Sequence, residues 1–347
     1  MADVSMVFVG DTYVDRQDPD SAFKPNMRYF QGADILFCNL ETVVADEKYV
    51  PADDPSDGPR TDEWMFPAYL RAGFNVMNIA NNPAMMHGLA PYQRSLDVLD
   101  AAGIAHGGGG RTLAEARMPA IIEKNGTKVA FVCRTTICAP EDAATEKRGG
   151  VARFRVATAY EFPPRHRPDP GLPPIIHTIP NAEDRAALEE DLRSARAQAD
   201  FVVASWHWGL SPTTGATGAL SPYQTDMGRA CIDAGADLVI GHHPHLLQPI
   251  EVYKGRPIVY SLANYVHDRS SMARPGRRFT TMLLRGLVHA GKLTELSFVP
   301  GRMEGNGPPA FSAPREAVDI VELMREISAP FGTAFEVGKE DVRVVLQ

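Results

Sequence analysis

The chain has 347 residues, 44% of them hydrophobic, which is enough for one large α/β unit or two domains with a substantial core. A formal charge of −8 and a pI near 5.7 exclude the basic face that nucleic acid requires. There is no basic n-region at the start and no run of about 18 apolar residues, and the four cysteines (Cys38, Cys133, Cys138, Cys231) form no CxxC pair. The expectation is a protein of the reducing cytoplasm with no membrane span.

In chain order, short apolar runs predict strands over Val4–Val9, Asp34–Cys38, Asn75–Ile79, Val129–Arg134, Phe201–Trp206, Leu238–Ile240 and Ile258–Leu262. Helical patterns fall between and after them, at Pro67–Ala72, Pro91–Ala102, Glu183–Ala199, Pro222–Ala234 and Arg315–Ile327. The alternation predicts parallel βαβ units. Hairpin turns at Lys124–Thr127, Tyr253–Arg256 and His289–Lys292 add antiparallel pairs. The fold class read from this is α/β, with two mixed β-sheets packed face to face and flanked by helices. Asp46–Asp62 and Pro163–Pro180 are rich in turn residues and read as surface loops. The first follows a candidate site closely, so a lid or recognition loop competes there with passive connection.

Polar side chains recur where the predicted strands stop. Asp11 follows Gly10, Asn39 and Glu41 end the second strand, and Asn81-Asn82 follow the third. His207 lies in Ser205-Trp206-His207-Trp208-Gly209, and Gly241-His242-His243-Pro244-His245 follows Leu238–Ile240. Asn264 comes after Tyr260–Leu262. A side chain at the carboxyl end of a strand points into a cleft without disturbing the core. Imidazole is both a common metal ligand and an acid/base near neutrality. Carboxylate, amide and imidazole on one rim suit a metal site or a metal-free acid/base site. Two histidine pairs fit the rim, His243 with His245 or His242 with His243.

These residues resemble the CapA family, the capsule or poly-γ-glutamate synthesis family. The resemblance rests on Gly-Asp11, Asn39-Leu-Glu41, Asn81-Asn82, His207-Trp-Gly and Gly-His242-His243-Pro-His245 with its continuation to Asn264. It covers roughly residues 4–266 and implies the two-sheet sandwich of calcineurin-like metallophosphoesterases. Beyond the resemblance, the strand-like runs Thr280–His289 and Leu293–Val299 and a following helix read 267–347 as completing the second sheet, which makes residues 1–347 a single unit. The chain departs from the phosphoesterase pattern twice. Their Asp-x-His reads Asp11-Thr12-Tyr13 here, and phenol, with a pKa near 10, is a poor ligand at neutral pH. Their Asn-His reads Asn82-Pro83, which removes the leaving-group imidazole; His87, four residues beyond Pro83, is a candidate replacement.

CapA-like members of peptide pathways resemble epimerases, and this implies a cofactor-independent isomerase. It would invert Cα of the C-terminal residue, a tryptophan, of a ribosomal lasso-type precursor peptide. Asp11, Glu41, His207, His243 and His245 are then the acids and bases, and Asn39, Asn82 and Asn264 the neutral donors. Arg134 either clamps the terminal carboxylate or forms a structural ion pair. Trp206 and Trp208 share one strand face, opposite His207, and either pack the core or wall the peptide end. Cys38 and Cys133 read as buried core thiols. The implied partners are the precursor peptide and a leader-peptide-binding protein, with no nucleic acid and no membrane. The rival reading is a divalent-metal (manganese or similar) phosphoesterase ligated by Asp11, Glu41, Asn82, His207, His243 and His245. It needs two ions about 3.5–4 Å apart. A third reading is a non-catalytic accessory of anionic-polymer assembly, with Arg165 and Arg167 as a local basic patch.

Overall fold

The computed structural model of the chain describes residues 2–161, 174–211, 219–268, 278–305 and 307–346. In chain order, the strands that build the two large sheets begin with β1 (Val4–Tyr13), β2 (Ile35–Leu40) and β3 (Val76–Asn78). They continue with β4 (Thr127–Thr135), β5 (Phe201–His207), β6 (Leu238–His242), β7 (Arg256–Val259), β8 (Asn264–His267), β9 (Arg278–His289) and β10 (Lys292–Glu304). The first sheet runs β10-β9-β1-β2-β3, with Val342–Val344 outside β10 and Ala105–Gly107 outside β3. The second runs β7-β6-β5-β4 in parallel, edged by Ile250–Tyr253 and Ala120–Lys124. The three predicted hairpin turns close where expected, joining Ala120–Lys124 to β4, Ile250–Tyr253 to β7, and β9 to β10.

Period-two alternation sorts each strand between two cores. Phe8, Phe37, Phe131, Val203, Ile240 and Leu284 fill the space between the sheets, where Phe37 and Phe131 stack at 5.3 Å. The outer face of the first sheet is covered by α1 (Pro67–Ala72) and α2 (Leu89–Ala101), through Tyr69, Leu96 and Leu99. The outer face of the second is covered by α3 (Ala182–Gln198) and α4 (Pro222–Asp233), through Leu188, Leu192 and Met227. Local chemistry starts these helices. Asn181 accepts the Asp184 amide ahead of α3, and Ser221 with Gln224 forms a capping box ahead of α4, where Pro222 opens the first turn. The result is helices, sheet, sheet, helices. Among the described residues no helix is long and apolar enough to cross a membrane.

Three expectations need correction. The strands after residue 270 extend the first sheet beside β1, not the second; β9 pairs antiparallel with β1, Phe8 opposite Leu284. The stretch 163–180 is not all loop. Ile175–Pro180 is a strand paired with Val156–Glu161, and 162–173, with Arg165 and Arg167, lie outside the described residues. The last helix, α5 (Val318–Ser328), starts later than expected because Pro314–Glu316 forms a separate 3-10 turn.

Alternation also places Arg134. Cys133 faces the inter-sheet core, so Arg134 faces α3 and pairs there with Asp191, which Arg117 also holds, at 2.8 Å. Arg134 is buried, and burial pushes its pKa down. Removing one partner of such a pair strands the other's charge. Asp191→Ala should therefore lose about 3 kcal/mol of stability in urea denaturation. A loss below about 1 kcal/mol would mean that the pair is worth no more than a surface one.

Candidate active site

The parallel strands of both sheets end at one rim. β1 brings Asp11, β2 Asn39, with Glu41 just past its end, β5 His207, and β6 His242 with the loop that follows. Two irregularities aim β1 and its neighbour. Phe8 pairs with Phe37, but Asp11 pairs with Asn39, so β1 contains one extra residue and Asp11 turns onto the face that Phe8 occupies. Gly10 permits this: a Cβ there would lie 1.8 Å from the Ala263 carbonyl oxygen, which accepts the Asp11 amide at 3.0 Å. Along β8 the register shifts again. Asn264 pairs with Asp11 and His267 with Tyr13, so residues three apart come to the same face.

Asp11 is fully buried. Its Oδ1 accepts from Asn39 Nδ2 at 2.7 Å, and its Oδ2 accepts the His243 amide at 3.1 Å and lies 3.4 Å from His245 Nδ1. Burial alone would raise its pKa, but His245, His242 and His207 outweigh burial and hold the carboxyl well below its usual range. Glu41 faces imidazoles with both oxygens. Oε1 is 3.6 Å from His207 Nε2 and 3.8 Å from His245 Nε2, and Oε2 is 3.6 Å from His267 Nε2. His207 Nε2 is 2.7 Å from Asn82 Oδ1 and 3.1 Å from His243 Nδ1, while its Nδ1 faces Asn39 Nδ2 at 3.2 Å. Because the Asn39 amide donates, that pattern assigns the His207 proton to Nε2.

The histidines separate electrostatically. Burial drives His207 well below its usual pKa, and burial with the adjacent His245 charge drives His243 to about 3. Burial opposes charging of His245 too, but Glu41, Asp11 and Asn264 raise it to about 9. The His243 and His245 rings stand 5.8 Å apart. His242 points between the sheets against Phe37, at 5.9 Å, and burial lowers it to about 4. The open choice of histidine pair therefore falls to His243 with His245.

The structure brings Asp11, Glu41, Asn39, Asn82, His207, His243, His245 and Asn264 together. Four named residues are elsewhere. Arg134 is under α3, paired with Asp191. Trp206 and Trp208 stack at 5.0 Å beneath α4; their indoles donate to Cys231 Sγ and to the Tyr260 carbonyl, so they pack the core and wall nothing. His87 does not replace the missing imidazole, since Asp54 Oδ2 at 2.6 Å and the Gly58 carbonyl at 3.0 Å hold it in the 46–62 loop. Cys38 and Cys133 are buried, and burial pushes both thiols up to about 12. His267 is the site residue that the sequence pattern does not single out, because strict alternation puts it on the face opposite Asn264.

The phosphoesterase resemblance implies divalent ions, and the donors fit one. Ligand atoms of Glu41, His243 and His245 lie within 4.8 Å of one another. Their mixed nitrogen and oxygen set suits a first-row divalent ion. Among the described residues, buried Asn39 Oδ1 and Asn264 Nδ2 have no hydrogen-bond partner, nor does either ring nitrogen of His242.

A family model described as bacterial capsule synthesis protein PGA_cap matches residues 5–269, a span that contains every side chain of the rim. The PGA biosynthesis protein CapA of Bacillus subtilis (strain 168) is 30% identical over 275 residues, covering 77% of this chain and 64% of that one. An uncharacterized protein of Sinorhizobium fredii, y4sH, is 24% identical across 95% of this chain and 90% of its own. The crystal structure of a hypothetical protein from Thermus thermophilus superposes with a TM-score of 0.48 at 12% identity, covering 87% of this chain and 100% of that chain.

The loop itself is strained: His243 has φ +92° and His245 φ +54°, in a region that favours glycine. His243→Gly relieves that strain and His243→Ala does not. The glycine variant should be more stable than the alanine variant by about 1 kcal/mol in thermal unfolding. Equal stabilities would show that the loop is relaxed.

Proposed function

The chain belongs to the bacterial capsule synthesis protein PGA_cap family, and from that membership and the rim we propose that it is a peptide epimerase. It would invert Cα of the C-terminal residue, a tryptophan, of a ribosomal lasso-type precursor peptide, by acid/base exchange without a cofactor. The supporting observation is the pair of neighbouring imidazoles with opposite charge states, His243 near 3 and His245 near 9. Groups whose environments push their pKa values apart are natural acid and base assignments. His243, neutral, removes the Cα proton from one face. His245, protonated, returns a proton to the other. Asn264 Nδ2 and Asn82 are the neutral donors closest to hand for the enolate oxygen. Glu41 and Asp11 keep His245 charged between turnovers. The substrate is the precursor peptide, brought to the site with a leader-peptide-binding partner in the cytoplasm.

Turnover in deuterated water should place deuterium at Cα of the inverted residue. An unlabelled inverted product, or no inversion of any Trp-ended precursor, would sink the proposal. The rate should stay level across neutrality and fall as pH rises through about 9, where His245 loses its proton. His243→Ala should lower it roughly 100-fold or more.

A divalent-metal enzyme is the second reading, and the donor group of Glu41, His243 and His245 favours it. A terminal carboxylate beside the reacting carbon opposes carbanion formation, and Arg134 is not at the rim to clamp it. A bound cation would neutralise that carboxylate, or polarise a phosphoryl oxygen in the phosphoesterase version of this reading. The two readings compete for His243 and His245, since neither ring can ligate a metal while it serves as free base or protonated acid. Metal content decides between them: protein purified without chelator and then given manganese should hold no ion under the first reading. About one or two ions per chain, with chelator-sensitive turnover, would favour the second. The name of the Bacillus subtilis relative suggests a coarser role shared by both readings, in capsule or poly-γ-glutamate synthesis. A γ-glutamyl chain is then the alternative substrate.

A further inference from the structure

We propose that His267 supplies the imidazole that position 13 lacks, so that Glu41, His245 and His267 hold one divalent cation. The proposal rests on the metal reading of the rim and adds a ligand on β8 outside the motif set. Tyr13 occupies the place of the phosphoesterase histidine, but its hydroxyl donates to Asp15 Oδ2 at 3.2 Å. Directly across the ladder, Tyr13 pairs with His267, and the two rings meet edge-on at 5.4 Å. His267 is buried and turned into the rim, with Nε2 3.6 Å from Glu41 Oε2 and its ring 5.5 Å from that of His245. An imidazole thus reaches the site from the strand next to the one that lost it.

His245 is already oriented as a ligand. Its Nδ1 lies 2.7 Å from Asn264 Oδ1 and 3.4 Å from Asp11 Oδ2, which leaves Nε2 facing Glu41 Oε1 at 3.8 Å. A carboxylate or carbonyl on one ring nitrogen, with the other turned to the metal, is the usual arrangement of ligating histidines. Ligand atoms about 2.0–2.2 Å from one ion stand roughly 3.0–3.5 Å apart. The 3.6 and 3.8 Å separations run to the two different oxygens of Glu41, so a carboxylate lying between the two imidazoles would have to draw both rings inward to reach that. The register shift in β8 supports the same assignment. A regular strand would turn His267 away from the rim; the extra residue brings it in, while Tyr265 and Val266 pack the outer core.

The test is a cobalt titration of the metal-free full chain, read by visible absorption and by affinity, with no substrate present. His267→Phe should weaken cobalt binding at least 10-fold and remove one nitrogen ligand's contribution from the spectrum, with thermal unfolding confirming a folded protein. His267→Gln should weaken it similarly, because the amide retains polarity but not imidazole basicity. Tyr13→His combined with His267→Phe should restore affinity, since position 13 lies directly across the ladder from position 267. Unchanged affinity in both His267 variants beside a wild type that binds would overturn the proposal and leave the metal reading standing. A wild type that binds no cobalt at millimolar concentration would overturn both.

Discussion

Two buried carboxylates govern this site. Asp11 and Glu41 lie at the ends of adjacent strands with almost no exposure, and a buried charge persists only if it is paired or ligates a metal. The cationic partners that the described residues bring within 4 Å are imidazoles. An imidazole can be neutral, protonated or metal-bound at neutral pH, so it can answer the carboxylates in any of three ways. A lysine or arginine would fix one answer. The sandwich makes this crowding possible, because the parallel strands of two sheets point their carboxyl ends at the same rim.

The rim is reached at a cost to backbone regularity. β1 contains an extra residue before Asp11, β8 contains one before His267, and the loop after β6 holds two histidines at positive φ. Gly241 belongs to the same set, since a Cβ there would lie 1.9 Å from the Tyr260 carbonyl oxygen. Each departure re-aims a side chain that regular structure would turn away. Strain of this kind persists only where surrounding packing over-determines it. Here the inter-sheet core does so, with Phe37 and Phe131 stacked directly beneath.

Those departures explain what the sequence could and could not say. Where strands are regular, alternation alone separated Asn39 from Cys38 and His207 from Trp206 and Trp208, and the structure agrees. Hairpin turns were legible because their chemistry is local. His267 was not, because its facing depends on a register shift set by a neighbouring strand. Arg134 looked available at a strand end, but the acid that claims it comes from α3, 57 residues away in sequence. The C-terminal strands went to the wrong sheet for the same reason: a strand's partner is a long-range choice that periodicity does not encode.

The two departures from the phosphoesterase pattern do not have the same consequence. At position 13 the lost imidazole has a spatial substitute in His267, one strand over, so the donor count around Glu41 is kept. At position 83 no substitute arrives: Pro83 opens a short 3-10 turn, and His87 is bound into the neighbouring loop. The described rim thus retains carboxylate and imidazole ligands, with Pro83 where the phosphoesterase pattern has its proton-donating imidazole. Phosphoester cleavage needs that proton donor and Cα inversion has no leaving group to protonate. An ion held by Glu41, His245 and His267 would leave His243 free beside His207 and Asn82, but it would take the lone pair of His245, so an ion at that position and His245 as the acid of the inversion are alternatives.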